Sequence, residues 1–167
     1  LGGQVVGSQE PPQSLDPHLA WLTCDFGVLC ALYEGLTALD EKSNEALPGV
    51  AESWDVSPDG LTYTFHLRPA ARWSNGDPVT ADDFAYSFRR LLSPRMAAEY
   101  ALHFWRVKNA QEFNSGHLKD FAAVGIDDPS RDGQTPQGPF CLHPGTGRGI
   151  VVFYRLHGKG VAHRFGR

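Results

Sequence analysis

The sequence predicts an α+β module, and three observations carry that prediction. From Leu61 to Arg68, apolar Leu61, Tyr63, Phe65 and Leu67 alternate with Thr62, Thr64, His66 and Arg68. A period of two is the mark of a half-buried antiparallel strand. A second extended run, Val50 to Val56, precedes it across Ser57-Pro58-Asp59-Gly60, which suits a type I turn with a bulge. Thr80 then opens a helix whose Phe84, Phe88 and Leu91 share one stripe. Strands followed by helices indicate an α+β arrangement rather than an alternating α/β one.

Composition sets the outer limits. The chain has 167 residues and a formal net charge of -4, one domain's worth of chain. Hydrophobic residues make up 41% and charged residues 20%, a globular composition rather than a disordered one. The longest apolar run, Phe26 to Tyr33, is far short of the roughly 20 residues a spanning helix needs. Mild acidity excludes a broad positive field for phosphates, so no nucleic-acid partner is expected. The chain opens on Leu1 without a basic and apolar leader pattern, which reads as a processed, trimmed or fragmentary chain. Cys24, Cys30 and Cys141 form no framework; the first two read as small buried hydrophobes or, in an exported chain, as a disulfide pair.

Gln9 to Pro17, with three prolines, should be extended. Phe26, Leu29, Cys30 and Tyr33 fit a helical stripe that Gly35 ends, and Leu36 to Leu39 suggests a short strand. Ser74-Asn75-Gly76-Asp77 is a second turn. Thr80 and Asp83 form a capping box, Asp82 and Asp83 lie at the positive end of the helix dipole, and Arg89 and Arg90 at the negative end. Pro94 stops the helix. A second helix is expected over Met96 to Trp105, and a third from Asn109, with Glu112 three residues on, to Gly116.

Beyond Ile126 the composition changes. Residues 1–126 carry -7, residues 127–167 carry +3, and no acid follows Asp132. The tail holds 8 of the 18 glycines, and only Gly149 to Leu156 reads as a strand. It is expected to be largely irregular, either as a basic tail for an acidic partner or as the out-of-frame product of a GC-rich gene.

Catalytic signatures are missing. No Walker loop, HExxH, GxSxG or GxGxxG occurs. Asp82 and Asp83 read as dipole partners rather than a catalytic pair. His18, His66, His103 and His117 show no i, i+4 pairing for a metal. Neither enzyme activity nor a cofactor or metal is expected. Trp54, Trp73 and Trp105 read as core or groove aromatics.

Four stretches nevertheless form a pattern. Glu10-Pro11-Pro12-Gln13-Ser14-Leu15-Asp16-Pro17, Leu32-Tyr33-Glu34-Gly35-Leu36, Leu47 through Arg68 and Trp73 through Phe84 resemble, in order, the peptide-binding (family 5) solute-binding proteins of ABC importers. Tyr86 to Leu91 and Val107 to Ala110 are similar to the oligopeptide-binding branch. The resemblance covers roughly residues 9–126.

It implies a partial periplasmic-binding-protein-like (type II) fold: the start of the first lobe over 1–46, a small accessory α+β domain over 47–126, and a divergent or non-native tail over 127–167. The family's chains are several times longer, and a second lobe closes over the ligand. The resemblance implies an oligopeptide ligand, ABC permease subunits as membrane partners, and the periplasm or outer face of a bacterial membrane. It places Glu34, Gly35 and Leu36 where main chain runs beside a bound peptide, and Tyr100 where a tyrosine lines the pocket. From the residues alone, Gly35 either admits another backbone or merely ends an element, and Tyr100 is equally readable as a core tyrosine. The alternative function is a stand-alone α+β module that binds a protein partner through exposed aromatics.

Overall fold

A computed structural model describes residues 11–40, 43, 45–127 and 140–143, and the strand backbones of 151–155 and 161–165. The order is helix α1 (Thr23–Leu32), strands β1 (Thr37–Leu39), β2 (Ala46–Pro48), β3 (Ala51–Val56) and β4 (Tyr63–Leu67), helix α2 (Ala81–Leu91), a 3-10 helix (Glu99–Phe104), helix α3 (Ala110–Asn114), a 3-10 turn (Phe121–Ala123), and strands β5 (Ile126–Asp127), β6 (Phe140–Leu142), β7 (Val151–Arg155) and β8 (Val161–Phe165). The main sheet has the order β3-β4-β6-β5, while β1 pairs with β2 and β7 with β8 as two-stranded units. Every pairing in these sheets is antiparallel.

The expected hairpin forms. Trp54 faces Phe65 and Val56 faces Tyr63, with a bulge between Ala51 and Ser53. Gly60 supplies the positive φ, 73°, that the turn requires. Its N–H donates to the Ser57 carbonyl (2.8 Å), and the Ser57 N–H donates to that of Thr62 (2.9 Å). Tyr63, Phe65 and Leu67 are buried as the alternation requires. Leu61 is not, because it precedes the strand and still belongs to the turn.

Helix α2 starts as its sequence dictates. The Asp83 carboxylate accepts the Thr80 N–H and hydroxyl, both at 3.0 Å, and the Trp73 indole N–H at 3.1 Å. Phe84, Phe88 and Leu91 are buried and share one core with Tyr63, Phe65 and Leu67. Sheet and helix each have one apolar face, so each buries it against the other.

Phe140 completes that core. It is fully buried, stacks on Phe88 at 5.8 Å between ring centroids and leans on Phe84 at 5.7 Å. Strand β6 lies between β4 and β5, with Tyr63 opposite Leu142 and Phe65 opposite Phe140. The break after Ile126 is therefore not the edge of the folded part. The expectation of a largely irregular tail does not hold for 140–142 and 161–165, which are strands, whereas strand 151–155 falls within the stretch Gly149 to Leu156 that was expected to be one. The remaining tail residues, other than Asp127 and His143, lie outside the described residues, as do Gln9 and Glu10. Two apolar residues spaced by one half-buried residue are enough to fill a gap in a sheet, yet too few to register as a period.

Other differences are local. The helix expected over Met96 to Trp105 is a 3-10 helix from Glu99, preceded by Ala97 at φ 49°. Asn109 takes a left-handed conformation, and its side-chain amide donates to the Ala123 carbonyl (2.8 Å) rather than capping α3. Cys24 is half-buried and Cys30 exposed, and no disulfide joins them. Among the described residues, no helix is long and apolar enough to cross a membrane.

Candidate functional site

The residues Glu34, Gly35 and Leu36 connect α1 to β1. Helix α1 ends just before them, where the Tyr33 N–H donates to the Leu29 carbonyl (2.9 Å) and Tyr33 itself turns extended. Gly35 and Leu36 are buried. Their carbonyls are used: Gly35 C=O accepts the Val50 N–H (2.7 Å) and Leu36 C=O accepts the Ala51 N–H (3.0 Å). Their own N–H groups have no hydrogen bond among the described residues. One edge of the segment is thus joined to the sheet, and on the other the donors have no partner among the described residues. The neighbouring Thr37 hydroxyl is also buried with no partner among the described residues. Buried donors without partners are costly, so the arrangement suits an incoming chain of acceptors.

Two features on the sheet side set this geometry. Arg68, just past β4, directs Nη2 at both Glu34 carboxylate oxygens, at 2.8 and 2.7 Å. Gly49 lies so close that a Cβ there would stand 2.5 Å from the Gly35 oxygen and 2.9 Å from that of Leu36. The sequence reading placed Arg68 on the polar face of its strand but gave it no partner. The Pro48-Gly49 pair between two strands was the available signal for a close backbone approach.

Tyr100 is placed elsewhere by its recorded contacts. Its hydroxyl donates to the Trp21 carbonyl (3.2 Å). Its ring meets Phe26 edge-on at 5.4 Å and stacks on His103 at 5.4 Å. These contacts run to Trp21 just before α1, to Phe26 in its first half and to His103 in the same 3-10 helix, whereas those of Glu34, Gly35 and Leu36 run to Val50, Ala51 and Arg68.

Two polar anchors hold the chain that leads into α1. Asp25 is buried. Burial opposes its charge, but the N–H groups of Gln13, Leu22, Ser14 and Trp21 outweigh that and hold its pKa below the ordinary 3.8. The Gln13 bond is the shortest, 2.7 Å. The second anchor is the Arg90 guanidinium. It donates to Asp16 Oδ1 (2.9 Å) and also to His18 Nδ1. Arginine cannot accept, so Nδ1 is the unprotonated nitrogen and Nε2–H points at Ser87 Oγ, 3.0 Å away. The Arg90 hydrogen bond leads the causes that lower the Asp16 pKa, against partial burial. In the sequence alone His18 is one of several scattered histidines and Arg90 a helix-dipole partner, with no sign that they meet. Among the described residues no group of His, Cys, Asp and Glu could hold a metal.

With this geometry in hand, residues 45–135 match the model of the bacterial extracellular solute-binding proteins, family 5 (middle). The chain belongs to that family. Among family 5 relatives, it is 45% identical over 125 residues to the periplasmic oligopeptide-binding protein OppA of Haemophilus influenzae, covering 74% of this chain and 23% of that protein. It is 40% identical over 114 residues to the dipeptide-binding protein DppE of Bacillus subtilis, covering 68% and 21%. The crystal structure of H. influenzae OppA in complex with RPPGFSPFR superposes with a TM-score of 0.70 at 39% identity, over 81% of this chain and 25% of that one. Listeria monocytogenes OppA bound to peptide gives 0.72 at 32% identity, over 82% and 26%. The chain thus spans about a quarter of the length of the relatives it matches. Its mixed α/β fold is a partial version of the type II periplasmic-binding-protein-like fold of family 5.

Proposed function

We propose that this chain is a portion of the extracytoplasmic peptide-binding component of an ABC-type importer, and that it binds rather than transforms its ligand. The observation that carries the reading is the one-sided pairing at Gly35 and Leu36. Both carbonyls accept from Val50 and Ala51, and neither N–H has a hydrogen bond among the described residues. An extended peptide laid along that edge would add a strand, gaining main-chain bonds without selecting side chains. Glu34, Gly35 and Leu36 would border the peptide, and Tyr100, with the Phe26 ring against it, would supply an aromatic wall. The full-length protein would pass its peptide to permease subunits at the membrane, from the periplasm or outer cell face. Residues 1–46 are read as the start of its first lobe and 47–126 as an accessory domain. The oligopeptide- and dipeptide-binding names of the relatives support this reading.

A single lobe leaves the peptide half solvated. Each main-chain bond then competes with water and nets only about 0.5–1.5 kcal/mol. Titrating the ¹⁵N-labelled chain with tetra-alanine should move the Gly35 and Leu36 amide resonances at high peptide concentration, with no sub-micromolar binding by calorimetry. Unmoved Gly35 and Leu36 resonances at saturation would refute the site.

A further inference from the structure

Resting on that reading, we propose that Arg68 is a positioning residue for the peptide-bordering edge, acting through Glu34 and Val50. Four contacts close a ring. The Arg68 N–H donates to the Val50 carbonyl (2.9 Å), and the Val50 N–H donates to the Gly35 carbonyl (2.7 Å). Gly35 follows Glu34 in the chain, and the Glu34 carboxylate returns to Arg68 Nη2 at 2.8 and 2.7 Å. Arg68 therefore holds the segment directly through its side chain and indirectly, by way of Val50, through its backbone N–H.

The ring fixes which edge of Glu34–Leu36 is spent. With Glu34 drawn toward Arg68 and the carbonyls toward Val50 and Ala51, the N–H groups of Gly35 and Leu36 are the ones left for a peptide. Gly49 allows this closeness, since a Cβ at that position would collide with backbone oxygens that cannot swing aside as a side chain would. The pair also has an electrostatic consequence. Glu34 is neutralised within the protein, so the carboxylate beside the peptide path does not select ligands by charge. The Arg68 Nε, buried and with no partner among the described residues, indicates that the guanidinium is placed for Glu34 rather than shared among several acceptors.

The test follows amide exchange by NMR on the full ¹⁵N-labelled chain, first without ligand. In Arg68→Met, exchange of the Val50 and Ala51 amides should rise about fivefold, the scale of a half-exposed ion pair, while the Phe65 amide in the sheet stays unchanged. Arg68→Lys should recover part of the protection. The swap Glu34→Arg with Arg68→Glu should recover most of it. The same variants are then titrated with tetra-alanine. Arg68→Met should bind about fivefold more weakly by the Gly35 and Leu36 shifts, and the swap should rebind. If Arg68→Met also loosens Phe65, the swap decides: restored Val50 protection supports the proposal and its absence overturns it. Unchanged Val50 exchange together with unchanged tetra-alanine shifts in Arg68→Met overturns the proposal alone. A wild-type chain without Gly35 or Leu36 shifts refutes the peptide reading, and the proposal with it.

Discussion

Arg90 and Asp16 lie 74 residues apart in sequence and are joined by two hydrogen bonds, Nη1 to Oδ1 at 2.9 Å and Nη2 to Oδ2 at 2.5 Å. The pair fastens the segment before α1 to the last turn of α2. The helix dipole alone would have accounted for a basic residue at that position, but the structure gives the charge a second task. The same guanidinium orients His18, so one side chain orders two residues of the segment before α1.

The pH dependence of this link has a definite sign. The folded-state pKa of Asp16 is below its ordinary 3.8, led by the Arg90 hydrogen bond. A depressed carboxylate pKa adds stability that is complete above the unfolded value and lost as pH falls through the folded one. Asp25, lowered by its four backbone donors against burial, acts in the same direction. Stability should therefore fall on acidification below about 3.8. Asp16→Asn should cost roughly 1 kcal/mol at neutral pH and flatten that acid limb. Urea melts across pH 2–6 measure both, and an acid limb identical in the variant would refute the assignment.

Phe65→Ala should cost about 3–5 kcal/mol, since a fully buried ring leaves a cavity among aromatic neighbours. Thr64→Ala on the opposite face should cost less than about 1 kcal/mol. Against a total of roughly 5–15 kcal/mol, the first variant loses a large share of its stability and the second does not. Denaturant midpoints separate the two, and equal small losses would mean the strand register is wrong.

Phe140→Ala tests whether β6 belongs to the core. The ring lies against Phe84 and Phe88, and its loss should cost about 3–5 kcal/mol, matching Phe65→Ala. A thermal melt indistinguishable from wild type would return 140–142 to the status of a dispensable tail.

Gly125→Ala should destabilise without removing any contact. A Cβ there would stand 2.6 Å from the His143 oxygen and 2.9 Å from the Lys108 Cβ. The strain falls on the bonds from the Lys108 N–H to His143 and from the His143 N–H to Gly125, 2.9 and 2.8 Å. Overpacking of this kind costs about 1–3 kcal/mol. Faster amide exchange at Lys108 and His143 than at Phe65 would locate the damage, whereas a neutral melt would contradict the close approach.

The hairpin and α2 were legible because their signals are local. Alternation in Tyr63–Leu67, the Gly60 turn and the Thr80–Asp83 box each act within a few residues, where covalent geometry and neighbouring hydrogen bonds decide the outcome. The resemblance pointed to Glu34, Gly35 and Leu36 as main chain beside a peptide, and in the fold the Gly35 and Leu36 carbonyls accept the Val50 and Ala51 N–H groups. What the sequence could not supply was which edge of that segment would be consumed, because this depends on Val50, Ala51, Gly49 and Arg68 arriving from a different strand pair. Phe140 was hidden for the same reason. A three-residue strand has no period of its own, and its place between β4 and β5 is set by the gap that α2 and the sheet leave unfilled. Asp16, His18 and Arg90 each read as ordinary polar residues in sequence. Only the packing of α2 against the segment before α1 removes them from water and makes each the other's partner, since a guanidinium leaving solvent must find acceptors and a half-buried carboxylate must find donors.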